Sequence, residues 1–154
     1  MLLDAFLALA HYVSIFLTGF FLLLEWIRCR EPVTPNRVRL LAKMDGAYGA
    51  AAVAALATGF LRVFYGAKGS AFYFSNPVFH AKLGVYIVVA LLSIPVTVAF
   101  FRWRKALARE HGDMVVPARE IRRVRAYLLA EIILLALLPV LAVLMARGIN
   151  VFGV

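Results

Sequence analysis

The chain has 154 residues, enough for one domain, and 64% of them are hydrophobic, with a mean hydropathy of +0.90. A soluble globular chain is nearer one half apolar, so this composition excludes a soluble fold and predicts an integral membrane protein. The formal charge of +9 then points to basic loops lying against anionic lipid headgroups, and not to nucleic acid.

A membrane span needs about 20 mostly apolar residues. Four such stretches are expected within a single domain over residues 1–154, at about 3–27, 44–64, 78–101 and 127–146. The first opens "MLLDAFLALAHYVSIF". It lacks a basic leading region and a small-residue cleavage site, so it reads as a span and not as a signal peptide. Asp4, His11, Thr18 and Glu25 recur along it at steps of seven, with Ser14 on the same stripe. Seven residues is close to two turns, so these side chains line one face, which should look into the bundle.

The first connection carries Arg28, Arg30, Arg37, Arg39 and Lys43 against Glu31. Cys29 within it is the only cysteine, so no intrachain disulfide forms, and it reads as a reduced thiol. Thr34 followed by Pro35 predicts an N-cap and a first-turn proline, so the second helix should begin before its span. Along that helix Asp45, Tyr48, Ala52, Ala55, Gly59 and Arg62 form a seam whose small members admit a close neighbour.

The second connection, residues 65–76, carries only Lys68. Asn76–Pro77 repeats the capping device at the third span, which opens "NPVFHAKLG". His80 and Lys82 stand two residues apart, about 200° around a helix, so only one of them can look inward. Lys82 shares a looser polar stripe with Tyr86, Ser93 and Thr97, and is the better inward candidate. The third connection carries eight basic residues, and His111 in it reads as a loop residue. Pro117 opens a lead-in to the fourth span, where Tyr127 and Glu131 share a face. Pro95 and Pro139 fall inside spans, which membrane helices tolerate.

Connections one and three must lie on one side, and their basic residues make it the cytoplasmic side. The expected fold is an all-α, integral membrane four-helix bundle, N-out/C-out. His11, Arg62, His80, Lys82 and Arg147 then fall in the outer leaflet, and Glu25, Asp45 and Glu131 near the inner end. Ionisable residues inside spans are expensive, which makes each a site candidate.

A basic outer cluster with two histidines suits a flat, apolar cofactor with an anionic edge, either haem b or a quinone. His11 and His80 are the candidate metal ligands, and Arg62, Lys82, Arg147 and Tyr86 complete the candidate cofactor site. His11 and Lys82 are the candidate catalytic pair. Glu25, Asp45, Tyr48 and Glu131 are candidate proton-relay or supporting residues. The alternative for Glu25 and Asp45 is helix-end pairing with Arg28 or Lys43. Met1, Met44, Met114 and Met145 do not cluster, which argues against a methionine-rich copper site.

The segments "LAHYVSIFLTGFFLLLEW", "LLAKMDGAYGAAAVAALATGFLRVFYGAKGSAFYFSNPVFHAKLG", "LLSIPVTVAFFRWR" and "LLPVLAVLMARG" resemble a family of small bacterial inner-membrane proteins of unknown function. That resemblance implies a multi-pass protein of the bacterial inner membrane. A more distant similarity is to membrane protoporphyrinogen oxidase of the HemJ type and to copper-resistance D proteins. It rests on His11 with Gly19 eight positions on, on His80, Lys82 and Leu83 opening the third span, and on Glu131. Ala130 stands where that family has asparagine. The similarity implies haem b binding and a redox role linked to quinone. Two further readings stay open: a non-enzymatic accessory or scaffold subunit, and a small carrier or metal-handling protein. A homo-oligomer or another membrane partner is compatible with each.

Overall fold

The computed structural model describes residues 2–67, 69–109 and 115–147. Five helices follow in order: α1 (Leu2–Arg28), α2 (Pro35–Tyr65), α3 (Gly69–Phe74), α4 (Pro77–Arg109) and α5 (Ala118–Ala146). There is no strand among the described residues. α1, α2, α4 and α5 are each long and apolar enough to cross a membrane. At about 1.5 Å per residue they reach roughly 40–50 Å, beyond the ~30 Å hydrocarbon core. The excess comes from the lead-ins of α2 and α5 and from the basic end of α4.

Local sequence sets the helix starts. Thr34 accepts a hydrogen bond from the Arg37 amide at 3.4 Å, and Pro35 occupies the first helical position. Asn76 Oδ1 accepts from the Val78 amide at 2.9 Å ahead of α4. Pro117 precedes α5 without a side-chain cap. Pro95 and Pro139 both lie inside continuous helices. The short α3 was not expected, because six residues of "GSAFYF" carry no resolvable period. It starts at Gly69, whose φ of 72° suits glycine. Phe74 then packs edge-on against Phe79 of α4.

α1 packs chiefly on α2, and α4 on α5. α2–α4 and α1–α5 contacts join these two pairs, which leaves α1/α4 and α2/α5 as the diagonals of the bundle. Leu22, Leu41, Phe100, Trp103, Ile121 and Leu128 form a continuous core. They lie towards the end that carries connections one and three. Glu120 ties α5 to α4 there, accepting from Arg102 and, at 3.0 Å, from Trp103 Nε1. The outer faces carry exposed apolar side chains such as Phe16 at 70% and Val53 at 68%. Water would penalise such faces and lipid does not, so the bundle is a membrane bundle.

Candidate functional site

The α2 seam is the organising element. Asp45, Tyr48, Ala52, Ala55, Gly59 and Arg62 follow at helical steps on one face, over about 25 Å. Its steps are met by side chains of α4, α5 and α1, so α2 carries a file of polar groups through the bundle.

At the basic-loop end the file begins with three buried carboxyls from three helices: Glu25 of α1, Asp45 of α2 and Glu131 of α5. Thr97 of α4 donates to Asp45 Oδ1 at 2.8 Å. Tyr48 donates to Glu131 Oε2 at 2.9 Å, across the α2/α5 diagonal. Glu25 is 1% exposed, and neither of its carboxyl oxygens has a hydrogen-bond partner. Glu131 Oε1 is likewise without one. Asp45 and Glu131 are both electrostatic neighbours of Glu25. The pairing with Arg28 or Lys43 suggested by helix-end positions does not form: both basic side chains are exposed and make no ion pair among the described residues.

Arg125 turns elsewhere too. Its guanidinium donates to the Cys29 carbonyl at 3.0 Å and lies 4.9 Å from the Trp26 ring centroid. Cys29 follows α1 and is fully buried. Burial pushes its thiol up to about 11; nearby Arg125 lowers it and Glu25 raises it.

Further along the file, Tyr86 of α4 donates to the Ala52 carbonyl at 2.6 Å. His11 of α1 follows, its Nδ1 lying 3.0 Å from the Ala55 carbonyl and 3.1 Å from Thr58 Oγ1. A carbonyl only accepts, so Nδ1 carries the hydrogen and Nε2 keeps its lone pair. Gly59 gives this approach its room, since a Cβ there would meet His11 Cε1 at 3.1 Å and press the ring back by a few tenths of an ångström. The seven-residue stripe of α1 thus faces inward, with Ser14, Thr18 and Glu25 buried and His11 half-buried. Ser14 and Thr18 return their hydroxyls to carbonyls one turn back on α1, which satisfies them within the helix.

Two cations stand beside His11. Arg62 lies over the Tyr12 ring at 5.3 Å, and its buried Nε has no hydrogen-bond partner. Lys82 is half-buried, and both its charge and that of Arg62 act on the imidazole. His80 is exposed and bonds the Phe74 carbonyl through Nε2 at 2.9 Å. Lys82 is therefore the member of "HAKL" that turns inward. Arg147 is exposed at the end of α5, with no side-chain hydrogen bond or ion pair among the described residues. Asp4 accepts from the Ala67 amide at 3.2 Å and ties α1 to the turn after α2.

The structure thus brings together His11, Arg62 and Lys82 at one end of the file, and Glu25, Asp45, Tyr48 and Glu131 at the other, with Tyr86 between. No group of three or more His, Cys, Asp or Glu side chains among the described residues could hold a metal ion. His111 lies outside the described residues. Thr58 was missed by sequence reasoning, although it stands three residues from Ala55 and its hydroxyl was the available signal.

Neither the curated proteins nor the solved structures contain a match to this chain. The sequence matches the family described as predicted membrane protein (DUF2214) over residues 3–150, nearly its whole length. Four membrane-crossing helices, their apolar outer faces and this match lead to one conclusion: the chain belongs to the DUF2214 family of predicted membrane proteins.

Proposed function

We propose that the protein binds the head group of a lipid-soluble quinol at His11, Arg62 and Lys82, and that the α2 file exchanges protons between this site and the buried carboxyls. The observation that carries the reading is the His11 tautomer. Its Nδ1–H is held by the Ala55 carbonyl, so Nε2 presents a fixed lone pair beside two cations. That lone pair accepts a hydrogen bond from a quinol hydroxyl, and the cations favour the oxygen as negative charge develops there. A quinone head group reaches such a site from the bilayer.

A second reading uses the same lone pair: haem b ligated by His11 Nε2, with Arg62 and Lys82 at the propionates. A bis-histidine arrangement does not fit, because the Nε2 of His80 is engaged by the Phe74 carbonyl. The quinol reading asks for fewer ligands and is preferred. In both readings the protein sits with its basic connections on the cytoplasmic side of a bacterial inner membrane, which the charge asymmetry supports.

Photolabelling with an azidoquinone held in its reduced quinol form tests the reading. Adducts should map to α1, α2 and α4 around His11 and disappear in His11→Ala. Labelling that is unchanged in His11→Ala contradicts the quinol site. A Soret band in the purified protein that shifts on dithionite reduction and is lost in His11→Ala selects haem instead. No labelling and no Soret band leave a scaffold subunit, with the file serving helix packing.

A further inference from the structure

A second site lies at the basic-loop end, apart from the file. Arg39 and Lys43 stand one turn apart on α2, and Arg104, Leu107 and Ala108 stand within one turn on α4. These two helices are packed neighbours, and a cavity of about 320 Å³ between them is lined by these five residues. Its rim is cationic and exposed, and Leu107 is its buried apolar floor.

The three cations have few partners of their own among the described residues. Most other arginines at this end have partners. Arg102 pairs with Glu120, and Arg122 with Glu31 at 3.5 Å. Arg37 donates to the Arg30 and Pro32 carbonyls, and Arg125 to that of Cys29. Arg123 lies 5.9 Å from the Tyr127 ring centroid. By contrast Arg39 reaches only Asn36 Oδ1 at 3.5 Å, and Lys43 and Arg104 make no side-chain hydrogen bond or ion pair among the described residues. Three cations therefore ring a cavity without a counter-ion among the described residues.

We propose that the Arg39–Lys43–Arg104 pocket binds the phosphate of an anionic phospholipid headgroup. Two guanidinium forks and one ammonium suit phosphate oxygens. The cavity is larger than one inorganic phosphate needs and falls at the small end of the range of ligand sites. Leu107 offers an apolar surface to the glycerol and the first acyl carbons. The position, at the ends of membrane-crossing helices on the basic-loop side, is where lipid phosphates lie. The site is independent of the His11 reading.

The full-length protein, purified in mild detergent and equilibrated with vesicles of phosphatidylcholine containing phosphatidylglycerol or cardiolipin, provides the test. Co-purifying lipid phosphorus is measured for the wild type, for Arg39→Gln/Lys43→Gln/Arg104→Gln, and for the control Arg122→Gln/Arg123→Gln. All five positions are exposed, and thermal melting checks that each variant is folded. The pocket variant should lose retained anionic lipid about fivefold or more, with phosphatidylcholine unchanged and the control near wild type. A single Arg104→Gln should lose part of the retention. Equal losses in the control overturn the pocket, because they show a diffuse basic surface. Displacement of the lipid by inorganic phosphate at matched concentration overturns the lipid assignment and leaves a free-anion site.

Discussion

Glu25 offers the sharpest physical test of the interior. Both of its carboxyl oxygens are buried without a hydrogen bond, and Asp45 and Glu131 are its neighbours. A buried acceptor left unsatisfied costs about 1–3 kcal/mol, and an ionised carboxylate there costs more. Glu25→Gln keeps the shape, removes the capacity to ionise and adds two donors. The unsatisfied Glu131 Oε1 is an acceptor on the facing side. The variant should gain about 1–3 kcal/mol, or roughly 3–10 °C in melting temperature for a chain of this size. Trp26 and Trp103 report unfolding by fluorescence in detergent. A variant less stable than wild type would refute the reasoning, because it means that the Glu25 carboxyl has a partner that glutamine cannot replace.

Tyr48→Phe removes the donor to Glu131 Oε2 and should destabilise by about 1.5–3 kcal/mol in the same melting assay, with Glu131→Gln/Tyr48→Phe closing a double-mutant cycle. Gly59→Leu should push the His11 ring off the Ala55 carbonyl and abolish labelling by the azidoquinol, while Gly59→Ala, at a 3.1 Å contact, should keep most of it. Cys29 should resist maleimide near neutral pH. With its thiol pushed up to about 11, the thiolate fraction rises only as pH approaches that value, so labelling should accelerate about tenfold per pH unit between about pH 7.5 and 9.5. Fast labelling at neutral pH contradicts the burial.

The four spans were legible because lipid asks for length and apolarity, both of which can be read directly from the chain. The inward stripes of α1 and α2 were legible for a related reason. Polar residues at seven-residue steps in α1, and small residues at helical steps in α2, have few other places to go in a bundle. The angle between His80 and Lys82 allowed only one of them to look inward, the polar stripe favoured Lys82, and in the structure Lys82 is half-buried and His80 exposed. Other features were not legible. The partner of His11 is a main-chain carbonyl, and no side-chain pattern marks which carbonyl will be met. The Glu25 and Asp45 positions near span ends suggested pairing with Arg28 or Lys43, but both acids lie on inward stripes of α1 and α2 that the basic residues do not share. The acids therefore sit inside the bundle, with both basic residues outside it. Connection two hid α3 because its six residues are too few to show a period. The phosphate pocket needed α2 and α4 side by side, since its two halves are some 60 residues apart in sequence.

The His11 tautomer carries the proposed quinol site, and the relative binding of reduced and oxidised head groups measures it most directly. A lone pair at Nε2 accepts from a quinol hydroxyl and has nothing to give a quinone carbonyl. Titration of a short-chain quinol and its quinone into the wild-type protein in nanodiscs should show the quinol bound about tenfold more tightly, the worth of one hydrogen bond of about 1.4 kcal/mol. His11→Ala should erase that preference. Equal affinities in the wild type, or a preference that survives in His11→Ala, would contradict the account.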